Sequence, residues 1–374
     1  MRLNILFDHQ IFLHQEYGGI SRYVIELARQ LDVLPGLDVS IYGGRHHNAY
    51  LDEVQAEINV KGERVTRSNS KSMKALSMVR NAATFFAHAS GSPATHVHQT
   101  YYHELFRPMG KASQILTVYD MTHELFPEQV TSIGRVSQAK RRAVSRADHV
   151  ISISESTKRD LIRLFNVPEE KVTTIPLGLS SALAAHAASL SPLARVHDRP
   201  YLLFVGQRGG YKNFEPFMRA FASASGLRDH IDVLCFGGGA LTAAERAELF
   251  RLGLTENRVQ HLAGGDDLLA RAYRHAEFLV YPSLYEGFGF PPLEAMAFGC
   301  PVACSNTSSL PEVVGGAAVT FDPSSIDDMT RAIDRLAGDI ELRQSCRAAG
   351  VEHASAFTWQ RCAELTRDLY RKTA

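Results

Sequence analysis

The chain has 374 residues, 45% of them hydrophobic, with 40 basic side chains balanced by 40 acidic ones. A length above twice ~150 residues points to two or three domains, and a neutral balance argues against a nucleic-acid binder. The five cysteines (Cys235, Cys300, Cys304, Cys346, Cys362) lie in the second half with no C-x-x-C pair, which reads as reduced thiols of a cytosolic protein. The first eight residues turn polar at Asp8, too soon for a signal-peptide core, and no window approaches the ~18 apolar residues of a membrane span. The expected location is cytoplasmic.

Short apolar runs alternate with longer amphipathic stretches, the pattern of βαβ units on a parallel sheet. In the first half, strands are expected at 2–8, 37–42, 94–98, 113–119, 148–153 and 172–175, and helices at 20–32, 71–89, 133–146 and 155–165, the last begun by Ser154 or Ser156 as N-cap. Tyr17-Gly18-Gly19-Ile20-Ser21 opens the first helix after the first strand. Paired glycines there permit close approach of a phosphate, but the spacing is not G-x-G-x-x-G and a nicotinamide reading is weak. His96-Val97-His98-Gln99-Thr100-Tyr101-Tyr102-His103 ends another strand. His96 and His98 share a face, yet no third ligand follows at zinc spacing, so no metal is expected. His98, Tyr101 and Tyr102 are read as lining a ligand site, where aromatics can stack on sugar rings; a purely structural role is the equal alternative. Thr117-Val118-Tyr119-Asp120-Met121-Thr122-His123 also ends a strand, which aims Asp120 or His123 at a ligand. Lys71, Lys74, Arg80 and Lys140-Arg141-Arg142 are read as solvated helix faces. Peripheral contact with an anionic membrane surface is their second reading.

The stretch 178–199, rich in Ala, Ser, Leu and Pro without a clear period, is read as a linker. The alternation restarts at 201–206, with further strands at 231–237, 259–262, 278–281, 301–304 and 317–321. Gly206-Gln207-Arg208-Gly209-Gly210-Tyr211-Lys212 follows the first of these. Arg208 offers a bidentate fork and Lys212 a point charge, together a clamp for a diphosphate. Asp266 and Asp267, ahead of a helix, are read as a cap. Pro282-Ser283-Leu284-Tyr285-Glu286-Gly287-Phe288-Gly289-Phe290-Pro291-Pro292-Leu293-Glu294-Ala295-Met296-Ala297 then sets two glutamates eight positions apart around a glycine-rich bend. A helix is expected over 293–298, ending at Gly299. Backbone N–H groups at such a bend can meet phosphate or sugar, and carboxylates can accept from hydroxyls.

That run, read as P-S-x-x-E-G-F-G-x-P-x-L-E-A-M-A, resembles the E-x7-E motif of the retaining GT-B glycosyltransferases of family 4 (glycosyltransferase group 1), among them bacterial mannosyltransferases. The resemblance implies an α/β chain of two doubly wound Rossmann-like domains facing a central cleft: 1–180 for the acceptor, 199–357 for the nucleotide sugar, and a helix over 358–374 crossing back to the first. It implies Glu294 on the ribose hydroxyls, and Glu286 on the donor sugar beside the N–H groups of Gly287, Phe288 and Gly289. It also implies Gly18 and Gly19 facing the donor, and Arg208 and Lys212 on the leaving diphosphate without a metal or other cofactor. The family often carries V-H-D where this chain has Val118-Tyr119-Asp120, so the sugar contact falls to Asp120 or His123. The implied reaction moves a hexose, by preference from GDP-mannose, to a glycan or lipid-linked acceptor in surface-polysaccharide assembly. A nucleotide-sugar epimerase of the same fold, or a non-catalytic sugar-nucleotide-binding assembly protein, are the rival readings.

Overall fold

The protein, seen in a computed structural model, is described for residues 2–66, 70–102, 111–129, 134–188, 193–224, 227 and 229–374. It divides into one unit of Met1–Gly178 with Thr358–Ala374 and a second of Leu179–Phe357. Residue 133 of one expected helix, His103, and the side chains of Lys71 and Lys74 lie outside the described residues.

The first unit holds strands β1 (Leu3–Phe7), β2 (Leu37–His46), β3 (Asn59–Arg64), β4 (His96–Gln99), β5 (Ser113–Val118), β6 (His149–Ser152) and β7 (Val172–Thr174). They form one parallel sheet in the order β3-β2-β1-β4-β5-β6-β7. Its central strands β1, β4, β5 and β6 are buried almost throughout because helices cover both faces. The helices Gly19–Asp32, Lys71–Ser90, Arg135–Arg146 and Glu155–Phe165 supply the crossovers. Ser154 caps the last of them by accepting from the Thr157 N–H, and Asn166 closes it in the left-handed conformation. Several short elements escaped the sequence pattern, two of them between β2 and the helix Lys71–Ser90. β3, Asn-Val-Lys-Gly-Glu-Arg, is a mostly exposed edge strand with no apolar face to betray it. Ala49–Val54 is a short helix, capped by Asn48.

The last helix, Trp359–Lys372, belongs to this unit and buries Trp359, Cys362, Ala363, Thr366, Leu369 and Tyr370 against the helix Gly19–Asp32 and the sheet. The Trp359 ring lies 5.9 Å from that of Tyr23. Gly178 makes this docking possible: a Cβ there would sit 2.3 Å from the Trp359 nitrogen and 2.7 Å from the Thr358 carbonyl carbon. Those neighbours are backbone and cannot swing aside. Gly178→Ala is expected to cost about 1–3 kcal/mol, read as a lowered urea midpoint; an unchanged midpoint would show that the helix shifts freely.

The second unit holds β8 (Tyr201–Val205), β9 (Asp232–Phe236), β10 (Val259–Leu262), β11 (Phe278–Tyr281), β12 (Val302–Ser305) and β13 (Val319–Phe321), parallel in the order β10-β9-β8-β11-β12-β13. Phe204, Phe214, Phe217, Phe221, Val233, Val280 and Phe321 anchor its core. Part of the stretch read as a linker is a helix, Ser181–Ala188. Its alanines favour helix but are too uniform to mark a polar face, so the period was hidden. Asp266 and Asp267 occupy the first turn of their helix behind Gly265, complementing the dipole rather than capping by side chain. All five cysteines are buried free thiols. Among the described residues, no helix is long and apolar enough to cross a membrane.

Candidate active site

In a doubly wound sheet, ligands gather at the carboxyl ends of the strands where the order reverses. In the second unit that point lies between β8 and β11, and the loops leaving these two strands carry Arg208, Lys212 and Glu286. Lys212 Nζ lies 2.6 Å from Glu286 Oε1 and donates to the Tyr281 hydroxyl at 3.0 Å. The loop that presents Glu286 is held from below by three consecutive hydroxyls. Thr307 donates to the Leu284 carbonyl, Ser308 accepts from the Glu286 N–H, and Ser309 donates to the carbonyls of Glu286 and Phe288. Gly289 ends the bend at φ 119°, and a Cβ there would meet Leu310 Cδ2 at 2.7 Å. Only glycine satisfies both demands.

The helix under Glu294 spans Phe290–Ala297, three residues earlier at its start than the sequence suggested, with prolines in the first turn where a missing N–H is harmless. Glu294 is therefore the fifth helical residue rather than a first-turn acid, and it is buried. Its Oε2 accepts from the hydroxyl of buried Tyr273 at 2.8 Å, which fixes the carboxylate's orientation. Phe288 contributes backbone to the bend, while its ring packs against Phe290 and Phe357.

Arg208 is the largest departure from expectation. Its side chain is 2% exposed and its donors are already engaged: Nε with Glu245 Oε1 at 2.7 Å, Nη1 with the Gly237 carbonyl at 3.1 Å, Nη2 with those of Gly239 and Ala240 at 2.8 and 2.9 Å. Burial pushes the Glu245 carboxyl up, but hydrogen bonds from Arg208 and Thr242 outweigh it and hold it below the usual range. Here the guanidinium staples the glycine loop 237–240 and is neutralised by Glu245.

In the first unit, Gly18 precedes the helix Gly19–Asp32, and the space beside Gly19 is open to 4 Å. The side-chain carbonyl of Gln15 accepts from the Ser21 N–H at 3.0 Å, which occupies part of this helix N-terminus. Asp120 accepts from the Thr122 N–H through Oδ1 at 2.9 Å. His123 stands on the short helix Thr122–Leu125, not on the strand end, and its Nδ1 is buried with no hydrogen-bond partner among the described residues. Burial and the Lys140 ammonium lower the pKa of His123 below the ordinary histidine value. Lys140, 1% exposed, reaches the Asp120 carbonyl at 2.8 Å and Glu124 Oε2 at 2.7 Å, holding Asp120 and His123 on one rigid turn.

His98 does not line an acceptor surface. It is 1% exposed, with Nδ1 2.6 Å from the Tyr370 hydroxyl and Nε2 2.8 Å from that of Thr117, a core link between β4, β5 and the last helix. Both His96 nitrogens are likewise occupied, by Thr95 and Thr373, so the pair is not presented to a metal. Among the described residues no three His, Cys, Asp or Glu side chains group around a cation. Tyr102 is buried too, its hydroxyl accepting from the Tyr119 N–H, while Tyr101 keeps partial exposure between Tyr102 and His14.

Burial depresses the His98 pKa to about 3, so the unfolded chain binds the extra proton below the ordinary value of 6.5 and stability falls as pH drops through that window. Asp8, buried and raised to about 6 by desolvation, opposes this, because the folded carboxyl takes up its proton first. An Asn at Asp8 can still accept from Thr100, and a flipped Gln10 amide can accept from it in turn. Asp8→Asn is therefore expected to lose stability on acidification more steeply than wild type, by about 1.4 kcal/mol per pH unit between roughly pH 6 and 4. Parallel urea-midpoint profiles for the two proteins would contradict this.

Two family models cover nearly the whole chain in succession: Glycosyltransferase Family 4 over residues 17–183 and Glycosyl transferases group 1 over 189–353. The chain is a family 4 glycosyltransferase. It is 26% identical to the O-antigen chain mannosyltransferase B of Escherichia coli over 370 residues, spanning 94% of this chain and 96% of that protein. Its fold matches sucrose-phosphate synthase from Thermosynechococcus elongatus (TM-score 0.76, 21% identity, 99% of both chains). It also matches Anabaena HepE, solved in complex with UDP (TM-score 0.72, 17% identity, all of both chains). These two likenesses establish the GT-B architecture.

The arrangement in this glycosyltransferase includes residues that sequence reading passed over. Tyr281 and Tyr273 orient Lys212 and Glu294, yet each looked like an ordinary apolar position of a strand or helix. Thr242 and Glu245 form a capping box legible as T-x-x-E. Nothing in that motif announces that Glu245 also holds Arg208. Thr307-Ser308-Ser309 looked like a polar turn, and only the fold places it under the Glu286 loop.

Proposed function

We propose that this glycosyltransferase moves mannose from GDP-mannose to a sugar hydroxyl of a glycan or lipid-linked acceptor in surface-polysaccharide assembly, with retention and without a metal ion. The observation that carries the sugar and its setting is the similarity to O-antigen chain mannosyltransferase B along almost the full length of both proteins. The bond between the anomeric carbon and the β-phosphate oxygen breaks while the acceptor oxygen bonds the same face of that carbon. The acceptor's proton passes to the departing phosphate, so no protein nucleophile is needed. Charge accumulates on the diphosphate, and the chain's answer to it is Lys212 with Arg208, preorganised cations at the β8 end. Both are satisfied internally, by Glu286 and Glu245. Donor binding is an exchange in which phosphate oxygens replace carboxylate oxygens on Lys212, and Glu286 turns to the sugar hydroxyls. Glu294, held by Tyr273, accepts from the ribose. Asp120 and His123 are assigned to the sugar from the first unit.

Calorimetric binding of GDP, GDP-mannose, UDP and UDP-glucose tests the donor, and proton NMR of the product's anomeric signal tests retention. Selective binding of the guanine nucleotides and an α-linked product are expected. Selective binding of UDP would replace the donor, and a β-linked product would sink the mechanism. Conversion of GDP-mannose to another nucleotide sugar without acceptor would favour the epimerase reading; binding of a nucleotide sugar that is never turned over, the assembly protein; and binding of none of the four would remove the nucleotide-sugar reading of the site. Activity should survive EDTA, and loss restored by a divalent cation would overturn metal independence.

A further inference from the structure

The first unit carries a second concavity beyond the carboxyl ends of β2 and β3, a cavity of about 320 Å³. Arg45, Arg80, His14 and His47 bring basic or donor groups to its wall, Met73 and Leu76 an apolar edge, and none of its lining residues is Asp or Glu. Other arginines of this region are neutralised: Arg29 forks onto Glu57, and Arg64 pairs with Asp52. Arg45 and Arg80 engage no carboxylate among the described residues, and Arg45 Nε is buried without a hydrogen-bond partner. Arg45 is also held in place. Asn81, 1% exposed, accepts from its N–H and donates to its carbonyl, both at 3.0 Å. A guanidinium partly withdrawn from water, fixed by its backbone and lacking a counter-charge is costly unless an anion arrives from outside. Two guanidinium groups on one cavity suit phosphate oxygens best. Met73 and Leu76, 52% and 61% exposed on the helix Lys71–Ser90, give that anion an apolar flank. His14 links the cavity to Tyr101, its ring 5.4 Å away.

We propose that this cavity is a phosphate subsite for the acceptor, with Arg45 and Arg80 clamping a phosphate or diphosphate group and Met73 and Leu76 flanking the moiety attached to it. Assigning the anion to the acceptor rests on the transfer reading above; the anion site itself does not. The full-length protein, saturated with GDP, is titrated with inorganic phosphate, glucose 1-phosphate, farnesyl phosphate and, as neutral control, glucose. The phosphorylated probes should bind and glucose should not. Arg80→Gln, an exposed position whose folding is safe, should weaken them about tenfold, and Arg45→Gln with Arg80→Gln about a hundredfold, with GDP affinity unchanged. A farnesyl phosphate preference of tenfold or more over glucose 1-phosphate identifies a lipid-linked headgroup as the source; equal affinities identify a soluble sugar phosphate. Affinity that survives both arginine substitutions but is lost in Lys212→Gln would place the phosphate on the donor side and overturn the proposal, as would no binding of any phosphorylated probe. Should the protein not bind GDP, the same titrations run without it: phosphate binding that depends on Arg45 and Arg80 would keep the subsite while the donor reading fell.

Discussion

Lys212→Ala is expected to lower turnover by ~10²-fold or more while shifting the melting temperature by only a few degrees, because electrostatic stabilisers of a developing charge contribute on that scale. The ammonium lies 2.6 Å from Glu286 and 3.0 Å from the Tyr281 hydroxyl, at the strand end where the leaving diphosphate is assigned. Both ionic side chains are about one-eighth exposed, at 13% and 12%, so the pair is neither a solvated surface contact nor a fully dry one. Its loss leaves Glu286 able to recruit water, which keeps the stability cost small. The loss in the transition state is not recovered that way, since water cannot be preorganised around the phosphate as a fixed ammonium is. The effect should fall on kcat more than on KM. Glu286→Gln is the informative partner. It frees Lys212 from its internal anion but removes a sugar contact, so nucleotide diphosphate alone should bind no worse while turnover falls. Turnover of Lys212→Ala within threefold of wild type would remove Lys212 from the leaving-group role.

The elements legible in the sequence were those with an apolar stripe or a local signature. β1, β8 and β11 announced themselves as buried runs, and Ser154 as an N-cap. The E-x7-E run alone places Glu286 and Glu294 on the same loop-and-helix unit. What stayed hidden shares a physical cause: it depends on partners distant in sequence. His98 has the composition of a ligand and the position of a strand end. Only the return of Tyr370, 272 residues later, shows that its ring is spent on the core. β3 has no apolar face because it is an edge, and Ser181–Ala188 has no polar face to give a period. Arg208 was visible as a cation beside a phosphate-binding turn, but not that Glu245, 37 positions on, holds it.

That engagement makes Arg208→Ala a double loss, and the two parts can be separated. The side chain joins Glu245 to the carbonyls of Gly237, Gly239 and Ala240, so its removal strands a partly buried carboxylate and slackens the loop they form. Breaking a buried pair by removing one partner typically costs ~3–5 kcal/mol. Glu245 is 22% exposed and keeps its bond from the Thr242 N–H, which favours the lower end, about 3 kcal/mol. Turnover should also fall by ~10²-fold or more if the guanidinium meets the diphosphate. Glu245→Gln separates the roles. The amide oxygen can still accept from Nε and the carbonyl contacts of the guanidinium remain, although the amide nitrogen cannot accept from the Thr242 N–H, while the positive charge, no longer neutralised, is offered to phosphate. The expected result is a melting temperature lowered by less than in Arg208→Ala, with GDP affinity equal or higher. If Arg208→Ala unfolds early but retains wild-type kcat well below its melting temperature, and Glu245→Gln leaves GDP affinity untouched, Arg208 is a loop staple alone. Lys212 would then carry the leaving-group charge by itself, and the Lys212→Ala deficit should account for the whole electrostatic contribution of this loop.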